Sequence, residues 1–289
     1  MADINYFNLN MGSSERKIPW RNEEISKWVT SKGFLNKKHL IFASSGSGKT
    51  VFATLVILTT IRCFPNKKFL VYQIGETKDA TKKLIRIKKF LNEKYKISFK
   101  IAHTDNIEKF KKRFDAIKKG TDTVLKPDNE FNFIFYFDDV ASFISNTKNL
   151  VFFNEYISIC RHFNITSIIN TQLIKKIPDS IKNQVDSIIM IGNPSNSNIK
   201  NLYDFFPIFT SFFDSVPEMI NFFRRIARYS IKERTAMIFR DNEAIRLYRV
   251  NMAFINMLKH DTDTDKKNNS NANDTGVNVD MGENEKKTE

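Results

Sequence analysis

The strongest chemical signal in the chain is the octapeptide Ala43-Ser-Ser-Gly-Ser-Gly-Lys-Thr50. It follows the phosphate-loop pattern GxxxxGK(S/T), with alanine in place of the first glycine. Small residues at Ser44, Ser45, Gly46, Ser47 and Gly48 let a backbone wrap phosphates, with the amides from Gly46 to Thr50 pointing at them. Lys49 then reaches the β- and γ-phosphates and the Thr50 hydroxyl ligates magnesium, so ATP and Mg2+ are the expected cofactors. A second signal lies downstream, where the run FNFIFYF over Phe131–Phe137 ends on Asp138 and Asp139. An apolar strand delivering two acids at its C-terminal end suits magnesium binding by Asp138, through water. Asp139 would accept a proton from the attacking water or orient it. Gln172 ends the next apolar run and can sense the γ-phosphate. Arg161, just ahead of that run, is expected at the nucleotide-facing edge as an arginine finger acting on a neighbouring subunit's nucleotide. Its plainer role is that of a cation favoured at a helix C-terminus.

These residues act together only if the elements between them form a parallel sheet. His39–Ser44 reads as a short buried strand, followed by the loop and a helix from about Gly48 to Cys63. Phe69–Ile74, Ile97–Ala102, Ser167–Gln172 and Ser187–Ile191 are further strands. The spacing of Leu84, Ile87, Phe90 and Leu91 predicts a helix over Thr77–Tyr95, and basic or apolar helices follow at Ile107–Ile117 and Leu150–His162. Alternating strands and helices predict an α/β fold, a P-loop NTPase with a mostly parallel central sheet flanked by helices. The expected organisation is an N-terminal arm and short helix over 1–34, an ATPase core over 35–195 and a C-terminal helical and hairpin extension over 196–259. Residues 260–289 are expected to be a disordered acidic-polar tail.

Charge adds a partner class. The chain carries 46 Lys+Arg against 32 Asp+Glu, a formal +14. From His260 onward four lysines face five aspartates and three glutamates, a net −4, which leaves +18 on the body. A basic body suits a polyanion such as double-stranded DNA. An A/T-rich coding bias towards Lys, Asn, Ile and Phe would raise the same count without selection for binding. The lysine-rich stretches Lys82–Lys89 and Lys109–Lys119 are candidate phosphate grips or simply solvated helix faces. Cys63 and Cys160 have neither disulfide nor zinc spacing. The longest apolar run, Val51–Ile61, is too short for a bilayer, so a soluble, cytoplasmic protein with no membrane partner is expected.

The order of pieces resembles a family. After the loop and the two acids come Cys-Arg161-His162-Phe-Asn-Ile-Thr-Ser-Ile-Ile-Asn-Thr-Gln172, then Ile-Pro178-Asp-Ser-Ile-Lys182-Asn183 and an apolar strand. This resembles the DNA-packaging ATPases of the FtsK–HerA superfamily, of the kind found in poxviruses and other large DNA viruses. The resemblance covers roughly Leu40–Gly192, with Ala43 and Lys182 as departures. It implies the additional-strand sheet, in which the Gln172 strand separates the loop strand from the acid-bearing strand. It also implies a homo-oligomeric ring that drives double-stranded DNA into a preformed capsid, with capsid-vertex or packaging proteins as partners. A cellular-type DNA translocase or helicase is the nearest alternative. A nucleotide kinase fits the paired acids poorly, and a GTPase would need an Asn-Lys-x-Asp motif that the chain lacks.

Overall fold

The computed structural model describes residues 5–11, 14–22, 24–31, 34–75, 78–120, 131–139, 141, 144, 147–229, 235–240 and 245–249. All fall within one unit, Met1–Asn251; the tail expected at 260–289 lies outside the described residues. In chain order the elements are β1 (Asn5–Met11), β2 (Ser14–Asn22), α1 (Ile25–Thr30), β3 (Lys38–Phe42), α2 (Lys49–Cys63), β4 (Lys68–Ile74) and α3 (Lys78–Tyr95). Then come β5 (Lys100–Thr104), α4 (Ile107–Lys118), β6 (Phe131–Phe137), α5 (Thr147–Ile159), β7 (Ile165–Thr171), α6 (Asp179–Lys182) and β8 (Ser187–Ile191). Helices α7 (Asn196–Phe205), α8 (Pro207–Thr210) and α9 (Val216–Tyr229) precede β9 (Thr235–Phe239) and β10 (Ile245–Arg249).

The strands form one sheet in the order β1-β2-β10-β9-β8-β3-β7-β6-β4-β5. From β8 to β5 every neighbouring pair is parallel. β7 lies between the loop strand β3 and the acid-bearing strand β6, as the additional-strand expectation requires. All five β3 positions and all seven β7 positions are buried, as a strand covered on both faces demands. On β6 the pleat sends Phe135 and Phe137 to an aromatic layer with Phe110 of α4 and Phe152, Phe153 and Tyr156 of α5. Tyr136 therefore faces the other way.

Three parts differ from the sequence expectation. The segment read as an arm forms the antiparallel pair β1–β2, and β2 pairs in parallel with β10. Pro19 explains why β2 does not look like a strand: it lacks a ladder donor. It stands opposite Tyr6 in the β1–β2 pair and outside the stretch Trp20–Asn22 that pairs with β10, so the ladder to β10 loses no donor. The helical part of the extension expected over 196–259 is broken in two places. Phe206 is extended ahead of Pro207, which opens α8 at its first turn, and residues 211–215 separate α8 from α9. The strand expected over Ile97–Ala102 runs instead over Lys100–Thr104.

His39 on β3 is fully buried against Phe34 and Trp28. Its Nε2 lies 2.9 Å from the Phe34 carbonyl and its Nδ1 2.7 Å from Ser187 Oγ. A carbonyl only accepts, so Nε2 carries the proton and Nδ1 accepts from the serine. Burial is the main force lowering its pKa from 6.5 to about 4, against the opposing pull of the Phe34 carbonyl and Asp186. Below pH 6.5 the unfolded chain takes up a proton that the folded chain excludes. Stability is therefore lost as pH falls from 6.5 towards 4, by about 3 kcal/mol at the lower end. Urea unfolding of the wild type between pH 7 and pH 4.5 should show this slope, and His39→Gln should flatten it. An unchanged slope in the variant would assign the effect elsewhere.

Candidate nucleotide site

The loop between β3 and α2 turns on two glycines in the left-handed region, Gly46 (φ +72°) and Gly48 (φ +93°), the latter serving as the N-cap of α2. Ala43 is not among the non-glycine residues with positive φ. Its Cβ is therefore tolerated without backbone strain, and the departure from the glycine pattern leaves the loop intact. Lys49 is only 9% exposed, and its Nζ donates to the carbonyls of Ala43 (2.9 Å) and Ser44 (3.0 Å). Burial lowers the lysine pKa from its ordinary value, while Asp139 and then Asp138 pull it back up. The cation thus sits inside the loop, within the field of both carboxylates.

Both acids come from the C-terminal end of β6. The Asp138 amide donates to the Ile74 carbonyl at 2.8 Å, which locks the end of β6 to β4. Thr50 Oγ1 donates to Asp138 Oδ1 at 3.4 Å. Hydroxyl and carboxylate oxygens this close suit a hard cation that takes one or two protein oxygens and completes its shell with water and phosphate, as magnesium does. Thr50 and Asp138 would hold it, and it would neutralise charge developing on the phosphates. The backbone of Asp139 is left-handed (φ +56°), which swings its side chain away from the strand direction. Gln172 Nε2 then donates to Asp139 Oδ2 at 3.2 Å. Lys49, Thr50, Asp138, Asp139 and Gln172 therefore gather at one edge of the sheet, where β3, β6 and β7 all end.

Arg161 is not there, and this corrects the expected placement. It lies in a 3-10 turn, Cys160–Phe163, that leads into the start of β7, whereas Gln172 follows the end of the same strand. Seven strand residues separate the two by roughly 20 Å at ~3.3 Å per residue. Arg161 instead lines a cleft of about 420 Å³ at the opposite edge, with Lys37, Lys38, Asp186 and Arg240. Lys182, one of the two departures from the family's pattern, is buried, ion-paired to Asp179 at 2.8 Å and placed 4.0 Å above the Phe205 ring.

Sequence reasoning missed three residues beside the acids. Tyr136 O–H donates to Asp138 Oδ1 at 2.9 Å, and Asn170 Nδ2 reaches the same oxygen at 3.1 Å. Gly75, just past β4, leaves no room for a side chain: a Cβ there would stand 2.8 Å from the Asp138 carbonyl oxygen. The first two were visible as spacing, since Tyr136 precedes Asp138, and Asn170 precedes Gln172, by the two residues that return a strand to the same face.

Comparisons with known proteins agree with this architecture. The chain is similar to the genome packaging NTPase B204 from Sulfolobus turreted icosahedral virus 2 in complex with AMPPCP, with 13% identity and a TM-score of 0.50 over 73% of this chain and 96% of that one. The DNA-packaging ATPase B204 from Sulfolobus Turreted Icosahedral Virus gives 12% identity and a TM-score of 0.49 over 73% and 96%. ATPases 2 and 3 of EssC from Geobacillus thermodenitrificans give 13% and 0.48 over 89% of this chain and 47% of theirs. At such identities the likeness at a TM-score of 0.50 speaks for the fold alone. Curated protein sequences give no match. The family described as Poxvirus A32 protein matches residues 34–270, most of the chain and the whole of the site. With the loop, the paired acids and the intervening β7 strand all inside that match, the chain belongs to the poxvirus A32 protein family.

Proposed function

We propose that this chain is an ATP-hydrolysing motor that translocates double-stranded DNA and packages a viral genome into a preformed capsid. The observation that carries the reading is the meeting of Lys49, Asp138, Asp139 and Gln172 at one sheet edge. Ser44, Ser45, Gly46, Ser47 and Gly48 cradle the phosphates, and Lys49 neutralises them. Thr50 and Asp138 hold magnesium. Asp139 accepts the proton of the attacking water, while Gln172 links the position of that acid to the end of β7. The genome-packaging role draws support from membership of the poxvirus A32 protein family, and the DNA and capsid roles rest on the resemblance of the chain's motifs to the DNA-packaging ATPases of the FtsK–HerA superfamily. Among the described residues no helix is long and apolar enough to cross a membrane.

The test is the rate of phosphate release with and without linear duplex DNA. Stimulation by duplexes of unrelated sequence, falling steeply as salt rises, is the expected result, because a motor that tracks any genome grips phosphates. Rates that ignore DNA at low salt would sink the translocation reading while leaving the ATPase standing. Exposed lysines of α3, Lys82, Lys88 and Lys89, are one grip available to such a motor.

A ring accounts for Arg161. At the far edge of its own subunit it can meet a nucleotide only on a neighbouring copy, in a head-to-tail arrangement. Arg161→Ala and Lys49→Ala chains, each inactive alone, should recover activity when mixed. Full activity of Arg161→Ala by itself would leave the residue as a plain helix-end cation.

A further inference from the structure

Asn170 and Tyr136 are fully buried polar residues on adjacent strands, directly under the acid of β6. The parallel register pairs Tyr136 with Ile168 and Phe137 with Ile169, so its continuation sets Asp138 beside Asn170. The Asn170 amide nitrogen lies 2.8 Å from the Tyr136 hydroxyl oxygen and 3.1 Å from Asp138 Oδ1, and the tyrosine O–H completes the triangle to that same oxygen at 2.9 Å. The proton directions are fixed by chemistry. A carboxylate oxygen only accepts, so the amide must present its N–H groups, one to the phenol oxygen and one to the carboxylate, and the phenol must donate onward. The arrangement has a cost. Asn170 Oδ1 is buried with no hydrogen-bond partner, a penalty that an aliphatic side chain at this strand position would avoid. A sheet that keeps an incompletely satisfied amide beneath an acid is using its two donors.

From this we infer that Asn170 and Tyr136 are positioning residues that fix the Asp138 carboxylate for magnesium, and that they set how tightly the metal is held with nucleotide. The inference rests on the proposed ATPase function. Three donors, from Tyr136, Asn170 and Thr50, converge on Oδ1, and they hold the carboxyl plane in one rotation. Two of the three come from residues rooted in the sheet, so that rotation does not depend on the loop. Gly75 completes the fit by letting β4 approach the backbone of Asp138 closely enough to bind its amide. Partners that orient a metal ligand from behind are commonly worth 10- to 100-fold in metal affinity.

The experiment is a magnesium titration read by a fluorescent ATP analogue, comparing wild type with Tyr136→Phe, Asn170→Leu and Asn170→Ser. Tyr136→Phe removes one O–H and keeps the ring, and Asn170→Ser covers the case in which leucine prevents folding. The magnesium concentration for half-maximal binding should rise about tenfold or more in each folded variant. Affinity for the analogue without metal should stay within about twofold of wild type, because both residues are fully buried beneath Asp138; a merely structural role would move both quantities together. An unchanged magnesium requirement in folded Tyr136→Phe and Asn170→Ser overturns the inference, as does an equal loss of metal-free binding. A wild-type chain whose analogue binding ignores magnesium would instead remove the ATPase reading beneath it.

Discussion

Replacing Asp139 with asparagine should leave ATP bound and stop its hydrolysis. In the proposed mechanism the Asp139 carboxylate takes a proton from water, and an amide cannot take one. Losing a positioned general base lowers rates by ~10²- to 10⁴-fold. The backbone makes this substitution unusually clean. Asp139 is left-handed at φ +56°, and asparagine is among the few residues that adopt that conformation readily. The side-chain oxygen that accepts from Gln172 also survives in asparagine, so the end of β6 should keep its shape. Single-turnover phosphate release, set beside equilibrium binding of ATP, separates the two effects. Wild-type turnover by Asp139→Asn would show that another group is the base.

Lys49→Ala should be inactive for a different reason. The ammonium lies within the loop on the carbonyls of Ala43 and Ser44, and in the proposed mechanism it is the cation that neutralises the phosphates. Its removal takes away charge stabilisation worth on the order of 10³-fold in rate and leaves two acids facing the phosphates uncompensated. Binding should weaken too, in contrast to Asp139→Asn. Lys49→Arg should not rescue, because a planar fork cannot replace a compact point charge in a loop built of small residues. Steady-state phosphate release at saturating ATP and magnesium is the measurement. More than a tenth of wild-type turnover in Lys49→Ala would rule out this role.

The candidate site was legible where it is local in sequence. Lys49 and Thr50 follow their loop directly, and Asp138 and Asp139 follow their strand, so composition and spacing were enough to find them. The position of β7 between β3 and β6 came from resemblance, because strand order is a property of pairing between distant segments. Arg161 shows how a local reading can mislead. It lies near Gln172 in sequence, yet a strand between two residues carries them to opposite edges of a parallel sheet. Tyr136 and Asn170 escaped notice because a tyrosine and an asparagine in apolar runs look like ordinary strand residues until the register sets them side by side. The β1–β2 pair was hidden for a related reason: a polar segment containing Pro19 gains its strand character from Trp20–Asn22 meeting a partner near the other end of the chain.

That meeting has a consequence for biosynthesis. Trp20 stands opposite Ile245, so β2 is completed by a strand made about 225 residues later in the chain. Until β10 has been made, the open side of β2 is an exposed strand edge, the feature of partly folded chains that most invites pairing with the wrong molecule. The strands from β3 to β8, with the loop and both acids, lie next to one another in the sheet without β1, β2 or β10 between them. The part of the sheet that carries the loop and both acids can therefore assemble while the chain is still growing, and joining β2 to β10 is a late step that must close a very long loop.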